Sequence, residues 1–233
     1  MVAAGRGPDR GRMVDVLIRD ARREDLVDGV ALLRDALGFR DADAIPPWLA
    51  FSTTEAGGLA LAAVADRELV GFSYAVPGLS PAGPYLLSCG LAVAPAWRSR
   101  GVGRRLKLVQ RDRALAAGIR RIRWTADPLM APALALYLSG LGARLVGYRA
   151  GLFDGLRHTG NDDVDIEWTL AGGRPARPVD ELVEIPADPS CRSDRWRRSV
   201  RRDMSRLLAR GLVGIGVEVA GHRRWVRFGE VAR

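Results

Sequence analysis

Apolar residues recur along the chain in two spacings, which predict helices and strands respectively. Leu26, Val30, Leu33 and Leu37 lie about one helical turn apart and predict a helix that Gly38 ends, with Asp20 as its cap. Short apolar or alternating runs predict the strands of a sheet, at Val14–Arg19, Leu59–Ala65, Leu69–Val76, Tyr85–Val93, Ile119–Thr125, Leu145–Ala150 and Val164–Leu170.

Three more helices complete this pattern. A short one begins at the loop Ile45–Trp48, a second spans Val102–Ala117, and a third spans Leu129–Leu141. Asp127 and Pro128 suit a helix cap and first position, so Asp127 is interpreted first as structural and only second as a catalytic acid. Three prolines predict a loop at Pro77–Pro84. The order β-α-(α)-β-β-β-α-β-α-β-β predicts an α/β fold, a mixed sheet with helices on both faces.

The C-terminal part predicts an extension of this domain. Residues 171–180 read as a Gly, Pro and Arg linker, and 181–233 as β-α-β-β, with a basic helix from about Ser193 to Arg210. Its predicted strands are Leu182–Ile185, Val213–Val219 and Arg224–Phe228. Such a segment is short for its own core, so we expect it to pack on domain 14–170, with 1–13 a loose tail.

Composition narrows the function classes. The 233 residues are 48% hydrophobic, which allows a sizeable core, and no apolar run reaches the length of a membrane span. Cys89 and Cys191 form no disulfide or metal pattern, and with only His158 and His222 no metal site is expected. These features favour a reduced, cytoplasmic protein. The net charge of +9 permits an acidic ligand or nucleic acid, and equally reflects a general preference for arginine.

A basic turn with two glycines joins a predicted strand to a predicted helix. The stretch Arg98-Ser99-Arg100-Gly101-Val102-Gly103-Arg104 follows the buried run ending at Val93. The first turn of a helix carries free N–H groups and partial positive charge, and glycine lets an anion approach the backbone. The turn therefore predicts a phosphate site, or only a tight connection. It matches neither the dinucleotide fingerprint nor the Walker A loop.

The spacing Arg98-x-x-Gly101-x-Gly103 resembles the acyl-CoA pyrophosphate loop of the GNAT N-acyltransferase family. The flank Leu91–Trp97 is similar to the family's fourth strand and the loop after it. Further stretches resemble a subgroup of which some members are linked to N-succinylation of amino acids: Gly103–Arg111, Trp124–Leu129, Leu141–Ala143, Ile185–Asp188 and Trp196–Arg197.

The resemblance implies a site for acetyl-CoA or another acyl-CoA, with no metal. Its pantetheine arm would pair with the backbone of Leu91 and Val93, and Tyr137 stands where many members place the tyrosine that protonates the thiolate. Tyr137 is equally consistent with an aromatic residue packed in the core. The implied pyrophosphate ligands are Arg98, Ser99, Arg100, Gly101, Val102, Gly103 and Arg104.

The chain departs from its relatives at two places. Met130–Ala133 lacks the asparagine that relatives tend to carry there, and Cys89 stands where relatives often have histidine. No general base is therefore carried over. Ser88 and Cys89 lie on the central strand, where small side chains usually fill space.

The predicted function is transfer of an acetyl or succinyl group from CoA to the amine of a small molecule, an amino acid being one candidate. Arg197 or Arg201 on the basic helix would bind a substrate carboxylate, or that helix simply packs on the core with solvated arginines. A protein that binds CoA without catalysis, or binds nucleic acid, is the alternative; we expect no membrane partner, and a homodimer stays open.

Overall fold

The computed structural model describes residues 15–156, 162–191 and 193–231. The predicted tail at 1–13, Val14 and His158 lie outside this range. Two compact units are present: the described residues up to Val76 together with Ser88–Arg113, and Pro77–Leu87 together with the chain from Ala114 onward.

The first unit is built on strands β1 to β3 and the second half of β4. Strand β1 (Leu17–Asp20) pairs antiparallel with β2 (Leu59–Ala65), and β2 pairs antiparallel with β3 (Glu68–Ser80). Strand β4 (Gly83–Val93) is hydrogen-bonded beside β3. The β2–β3 turn places Asp66 and Arg67 at φ values of 47° and 69°, the left-handed geometry of a tight hairpin.

Three helices cover this part of the sheet: α1 (Asp25–Leu37), α2 (Pro47–Glu55) and α3 (Val102–Ala116). The apolar stripe of α1 packs on Phe72 and Tyr74, whereas Val102 and Leu106 of α3 pack on Leu61. Because residues 72 and 74 and residue 61 belong to two separate clusters, α1 and α3 contribute to different cores, as the helical periodicities predict.

Gly38 ends α1 with φ 70°, as predicted, but the start of this helix differs from the prediction. Asp20 ends β1 and pairs with Arg113 of α3. Asp25 at the first helical position accepts the Arg22 N–H at 2.6 Å instead. Asp25 thus holds the chain that precedes α1, and the helix starts without a side-chain cap on its own N–H groups.

The second unit continues from the first half of β4. Strand β5 (Arg121–Ala126) pairs in parallel with β4 at Leu86 and Leu87, then antiparallel with β7 (Asp163–Thr169). Strand β6 (Arg144–Arg149) lies on the other side of β7 and meets β9 at Leu145 and Gly214.

The C-terminal residues extend this side of the sheet. Strand β8 (Ala176–Ile185), helix α5 (Asp194–Ala209), β9 (Leu212–Ala220) and β10 (Arg223–Val231) follow in order, with β10 between β9 and β8. Helix α5 contacts β6, β8 and β9. Its Val200, Met204 and Leu207 are buried, so one face of this helix packs on the core.

Three further sequence predictions of local structure were wrong. The predicted loop at Pro77–Pro84 is mostly strand, because β3 runs to Ser80 and β4 starts at Gly83, with only residues 81 and 82 forming the turn between them. Close approach explains the glycine there, since a Cβ on Gly78 would lie 2.5 Å from Cζ of Tyr85. The predicted linker at 171–180 is strand from Ala176, paired with β10.

The third error is the helix predicted to open at Asp127–Pro128. It begins at Ala131 instead, as α4 (Ala131–Leu134), and continues as a π-helical turn over Ala135–Gly140. Pro132 lacks an N–H, so it is tolerated at the start of a helix and not inside one that began at Leu129. Asp127 accepts the Leu129 N–H at 2.9 Å, consistent with its interpretation as structural.

Candidate active site

The basic turn is a tight connection that leads directly into helix α3. Ser99 and Gly101 both have positive φ, 59° and 78°, and the Arg105 N–H donates to the Gly101 carbonyl at 3.0 Å, which starts the helical ladder of α3. Serine rarely adopts this geometry, so the surrounding structure holds it there. The loop presents the first turn of α3, whose N–H groups have no partner within the helix.

Side chains of the turn leave its surface open. Arg98, Ser99, Arg100 and Gly101 are exposed, and a Cβ built on Gly101 would meet nothing within 4 Å. Arg98 Nε donates to the Val93 carbonyl at 3.1 Å, so this arginine ties the turn to the end of β4. The guanidinium of Arg100 lies over the Trp97 ring at 5.4 Å. Open space beside a helix start, ringed by arginines, suits a phosphate group.

The side chains of Leu91 and Val93 pack against the buried cluster that includes Val102 and Leu106 of α3. Their side chains therefore belong to the core, and any ligand contact would come from their backbone. Val102 is buried, Gly103 is half-buried, and Arg104 is exposed.

Strand β4 is irregular between Ser88 and Gly90. Ser88 bonds to Lys107 of α3, whereas a Cβ on Gly90 would lie 2.8 Å from Leu33 of α1. Residues two apart on a regular strand point to the same face, and these two point to opposite ones. The intervening residue, Cys89, is exposed, and irregular strands of this kind recur near active sites.

A fully buried lysine bonds to Ser88. Lys107 Nζ lies 2.8 Å from Ser88 Oγ and 3.1 Å from Gln110 Oε1, and Gln110 Nε2 lies 3.2 Å from both Ser88 Oγ and Ser73 Oγ. We call these four residues the Lys107 cluster. All are buried, and burial lowers the pKa of Lys107 from 10.5 to about 7.

Cys89 sits beside this cluster as a thiol. Although its side chain reaches the surface, desolvation by surrounding atoms raises its pKa to about 11, against smaller opposing effects of the Val76 backbone and Lys107. A thiol with that pKa is protonated at neutral pH and is a poor nucleophile. The structure thus agrees with not assigning Cys89 a covalent role.

Tyr137 lies in the π-helical turn that follows α4. Its ring meets Trp124 of β5 edge-on, with centroids 5.1 Å apart and planes at 74°. Burial raises the pKa of its hydroxyl to about 12, so it is protonated at neutral pH. π-Helical turns often mark functional sites, and the sequence pattern did not predict this one.

The two arginines of α5 have different environments. Arg201 donates through Nε and Nη2 to both oxygens of Asp162, at 2.9 and 2.6 Å, and Asp162 also accepts from Tyr148 and the Gly151 N–H. The carboxylate bound by Arg201 is therefore its own chain's. One turn earlier, Arg197 Nη1 is buried and has no hydrogen-bond partner in the described part of the chain.

A family model for the acetyltransferase (GNAT) family matches residues 18–143, more than half of the chain. The match includes the basic turn, the irregular strand and Tyr137. This chain belongs to the GNAT acetyltransferase family. It is an N-acyltransferase, and members of the family use acetyl-CoA as the donor.

Solved GNAT structures share the fold at low sequence identity. A GNAT acetyltransferase from Streptococcus pneumoniae has a TM-score of 0.54 and 17% identity over 67% of this chain and 100% of its own. The ribosomal-protein-S18-alanine N-acetyltransferase from Escherichia coli has a TM-score of 0.54 and 18% identity over 68% of this chain and 96% of its own. The ribosomal-protein-alanine N-acetyltransferase from Brucella melitensis has a TM-score of 0.55 and 21% identity over 66% of this chain and 99% of its own. No curated protein sequence matches the chain.

Sequence reasoning missed the most unusual group in this GNAT domain. Lys107 is recognisable in the sequence as the only lysine of the chain, but its burial depends on tertiary packing, and sequence reasoning assigned it no role. Within the described residues, no three His, Cys, Asp or Glu side chains gather as a metal site, and no helix has the length and apolar character to cross a membrane.

Proposed function

We propose that this GNAT acyltransferase moves an acetyl or succinyl group from CoA to the primary amine of a small molecule that also carries a carboxylate, such as an amino acid. One observation carries the donor half of the proposal. The turn at 98–104 presents an open, arginine-lined helix start, with space where any side chain at position 101 would project. Diphosphate is the part of CoA that such a surface recognises.

The residues of the turn fit a bound CoA. Backbone N–H groups from Gly101 to Arg104 would hold the pyrophosphate oxygens, and Arg98 and Arg100 would add charge. The backbone of Leu91 and Val93 would pair with the pantetheine amides. Strand β4 pairs with β5 at Leu86 and Leu87, upstream of both residues, which supports this role.

Arg197 supports a carboxylate on the acceptor. A buried guanidinium nitrogen without a partner is costly, and a ligand carboxylate would satisfy it with a charge-assisted hydrogen bond. Arg201, which we also expected to bind a carboxylate, holds Asp162 and so anchors α5 beside Arg197. We assign Arg197 the direct contact and Arg201 the positioning role.

Tyr137 is our candidate proton donor to the leaving thiolate. Its hydroxyl is protonated at neutral pH, but a phenol with a pKa near 12 is a weaker acid than a thiol of pKa about 8.5. It can therefore stabilise the departing sulfur by donating a hydrogen bond. It transfers its proton fully only if the site raises the pKa of the bound thiol above that of Tyr137. The ring contact with Trp124 fixes its direction.

The proposal is tested by following free thiol released from acetyl-CoA and succinyl-CoA. Each donor is combined with amino acids and with the matching amines that lack the carboxylate. We expect turnover with the amino acids, and a KM raised about tenfold or more by Arg197→Met, the loss of roughly one charged hydrogen bond. Arg195→Met on the exposed side of the same helix is the control.

Two outcomes would change the assignment. If CoA binds but no amine is acylated, the chain is a CoA-binding protein without catalysis. If the decarboxylated amines are acylated as well as the amino acids, Arg197 does not bind a substrate carboxylate.

A further inference from the structure

Lys107 differs in its acid–base chemistry from the arginines that carry the other positive charges of the chain. Of 36 Lys and Arg residues, Lys107 is the only lysine, and it is 1% exposed. Arginine is charged at any ordinary pH, whereas a lysine amine can lose its proton when it is buried. Among the described residues, the one buried basic side chain whose charge can change thus lies on the helix that begins at the basic turn.

The Lys107 cluster links this amine to strand β4. Ser88 Oγ lies 2.8 Å from Nζ, and a hydroxyl both donates and accepts. The contact is therefore compatible with an ammonium donating to the hydroxyl and with the hydroxyl donating to an uncharged amine. Gln110 holds both partners, with its oxygen 3.1 Å from Nζ and its nitrogen 3.2 Å from Ser88 Oγ.

Ser88 precedes the irregular part of β4. Cys89, which follows it, is exposed, and Leu91, three residues on, is one of the backbone positions proposed for the donor. The hydroxyl of Ser88 thus connects a buried amine with the strand that carries the backbone positions proposed for the donor.

The surroundings of Lys107 favour its uncharged form. Burial is the main cause of its low pKa, and Cys89 of β4 is the titratable group that opposes the shift. The hydrogen bonds of Nζ to Ser88 Oγ and Gln110 Oε1 join it to neutral groups. With a pKa of about 7, a large fraction of the amine is uncharged near neutral pH and can accept a proton.

We propose that Lys107 is the proton acceptor of the acyl-transfer reaction and that Ser88 relays the proton to it. The proposal rests on the function proposed above, for which the sequence identifies no general base. Lys107 acts through Ser88 and is therefore a positioning and proton-storing residue, not one that touches the substrate.

The proton transfers of the proposed acyl-transfer step balance. The ammonium of the acceptor loses one N–H proton to Ser88 Oγ, while the Ser88 hydroxyl proton passes to Lys107 Nζ, which becomes an ammonium. The freed nitrogen lone pair forms the new N–C bond as the C–S bond of the thioester breaks. The attacking nitrogen then loses its second N–H proton and the departing sulfur gains one: Tyr137 gives its proton to the sulfur, and the proton from nitrogen restores the Tyr137 hydroxyl. Lys107 returns its proton to solvent after release of the product.

The first test needs no activity. Because the chain has one lysine, protein grown with [ε-¹³C]lysine gives a single lysine NMR signal that requires no assignment. We expect this signal to titrate near pH 7 in the folded wild-type protein. A midpoint near the ordinary lysine value of about 10.4 would overturn the proposal.

The second test compares two buried serines. Ser88 and Ser73 each lie 3.2 Å from Gln110 Nε2, but only Ser88 contacts Nζ. We expect Ser88→Ala and Lys107→Met to lower kcat/KM about a hundredfold, within the range of general-base effects. We expect Ser73→Ala to change it less than about threefold, outside that range.

The pH profile separates a proton acceptor from a packing residue. In the wild type, kcat/KM should rise through the pH at which the NMR signal titrates, and Lys107→Met should remove that limb. If Lys107→Met does not fold, as shown by circular dichroism, the Ser88→Ala and Ser73→Ala pair carries the test.

The outcomes distinguish the two proposals. Equal activity and equal pH profiles in wild type and Ser88→Ala would overturn the relay and leave the proposed function standing. Absence of turnover by the wild type with every amine would overturn the proposed function and the relay with it, whatever the NMR titration shows.

Discussion

Replacing Lys107 by methionine tests the physical basis of its buried state through stability alone. Methionine has nearly the same length and is apolar, so it fills the space without a titratable group. In the folded protein burial lowers the pKa of Lys107 from 10.5 to about 7. Holding the amine uncharged where the unfolded chain would be protonated costs about 1.4 kcal/mol per pH unit between these values.

The sign follows from proton binding. Between pH 7 and pH 10.5 the unfolded chain keeps the lysine proton and the folded chain lacks it, so the wild-type free energy of unfolding rises with pH in this window. Lys107→Met has no such dependence. From pH 7 to pH 9 the stability of wild type relative to the variant should therefore increase by roughly 2 kcal/mol.

The assay is urea unfolding followed by circular dichroism at pH 7, 8 and 9. The range stops there because Cys89, with its pKa raised to about 11, adds an opposite dependence above pH 9. Arg111→Met is the control, since this half-exposed arginine on the same helix pairs with Asp112 at the surface. Parallel curves for wild type and Lys107→Met would refute the buried, uncharged lysine.

Three further predictions address the other parts of the site. Acetyl-CoA at a hundredfold excess over Kd should stabilise the wild type by roughly 2.7 kcal/mol in thermal unfolding. Gly101→Asp should abolish this stabilisation. The control Gly118→Asp should keep it, because Gly118 has a similar φ and similar open space but lies outside the turn. Equal stabilisation of both variants would exclude the turn. Tyr137→Phe should lower kcat by ~10²–10⁴ with acetyl-CoA affinity nearly unchanged, and a loss below about threefold would leave Tyr137 a packing residue. Asp162→Asn should lower the free energy of unfolding at pH 7 by roughly 2 kcal/mol, because it removes the charge that Arg201 pairs with. Burial raises the pKa of Asp162, but the hydrogen bonds from Arg201, Gly151 and Tyr148 outweigh it, so the net shift is downward. The difference in stability should therefore shrink as acid protonates the wild-type carboxylate. A difference that is independent of pH down to acid unfolding would contradict the ion pair.

Several features of this protein were determined by local sequence. The α1 stripe, its end at Gly38, and strand β2 at Leu59–Ala65 match the predictions, because periodicity and glycine geometry act over a few residues. The basic turn between β4 and α3 also lies where the sequence places it. Its chemistry depends on backbone N–H groups and nearby glycines, which a short motif specifies.

Tertiary structure decided the features that depend on partners distant in sequence. Most of Pro77–Pro84 is strand because β3 and β4 are hydrogen-bonded neighbours. Strand β8 starts at Ala176, before the predicted start at Leu182, because β10 lies beside it. Arg201 is occupied because folding brings it to Asp162, 39 positions away. The charge state of Lys107 depends on burial against Ser88, 19 positions away, because desolvation is set by every atom that replaces water around the amine, and no local pattern encodes that.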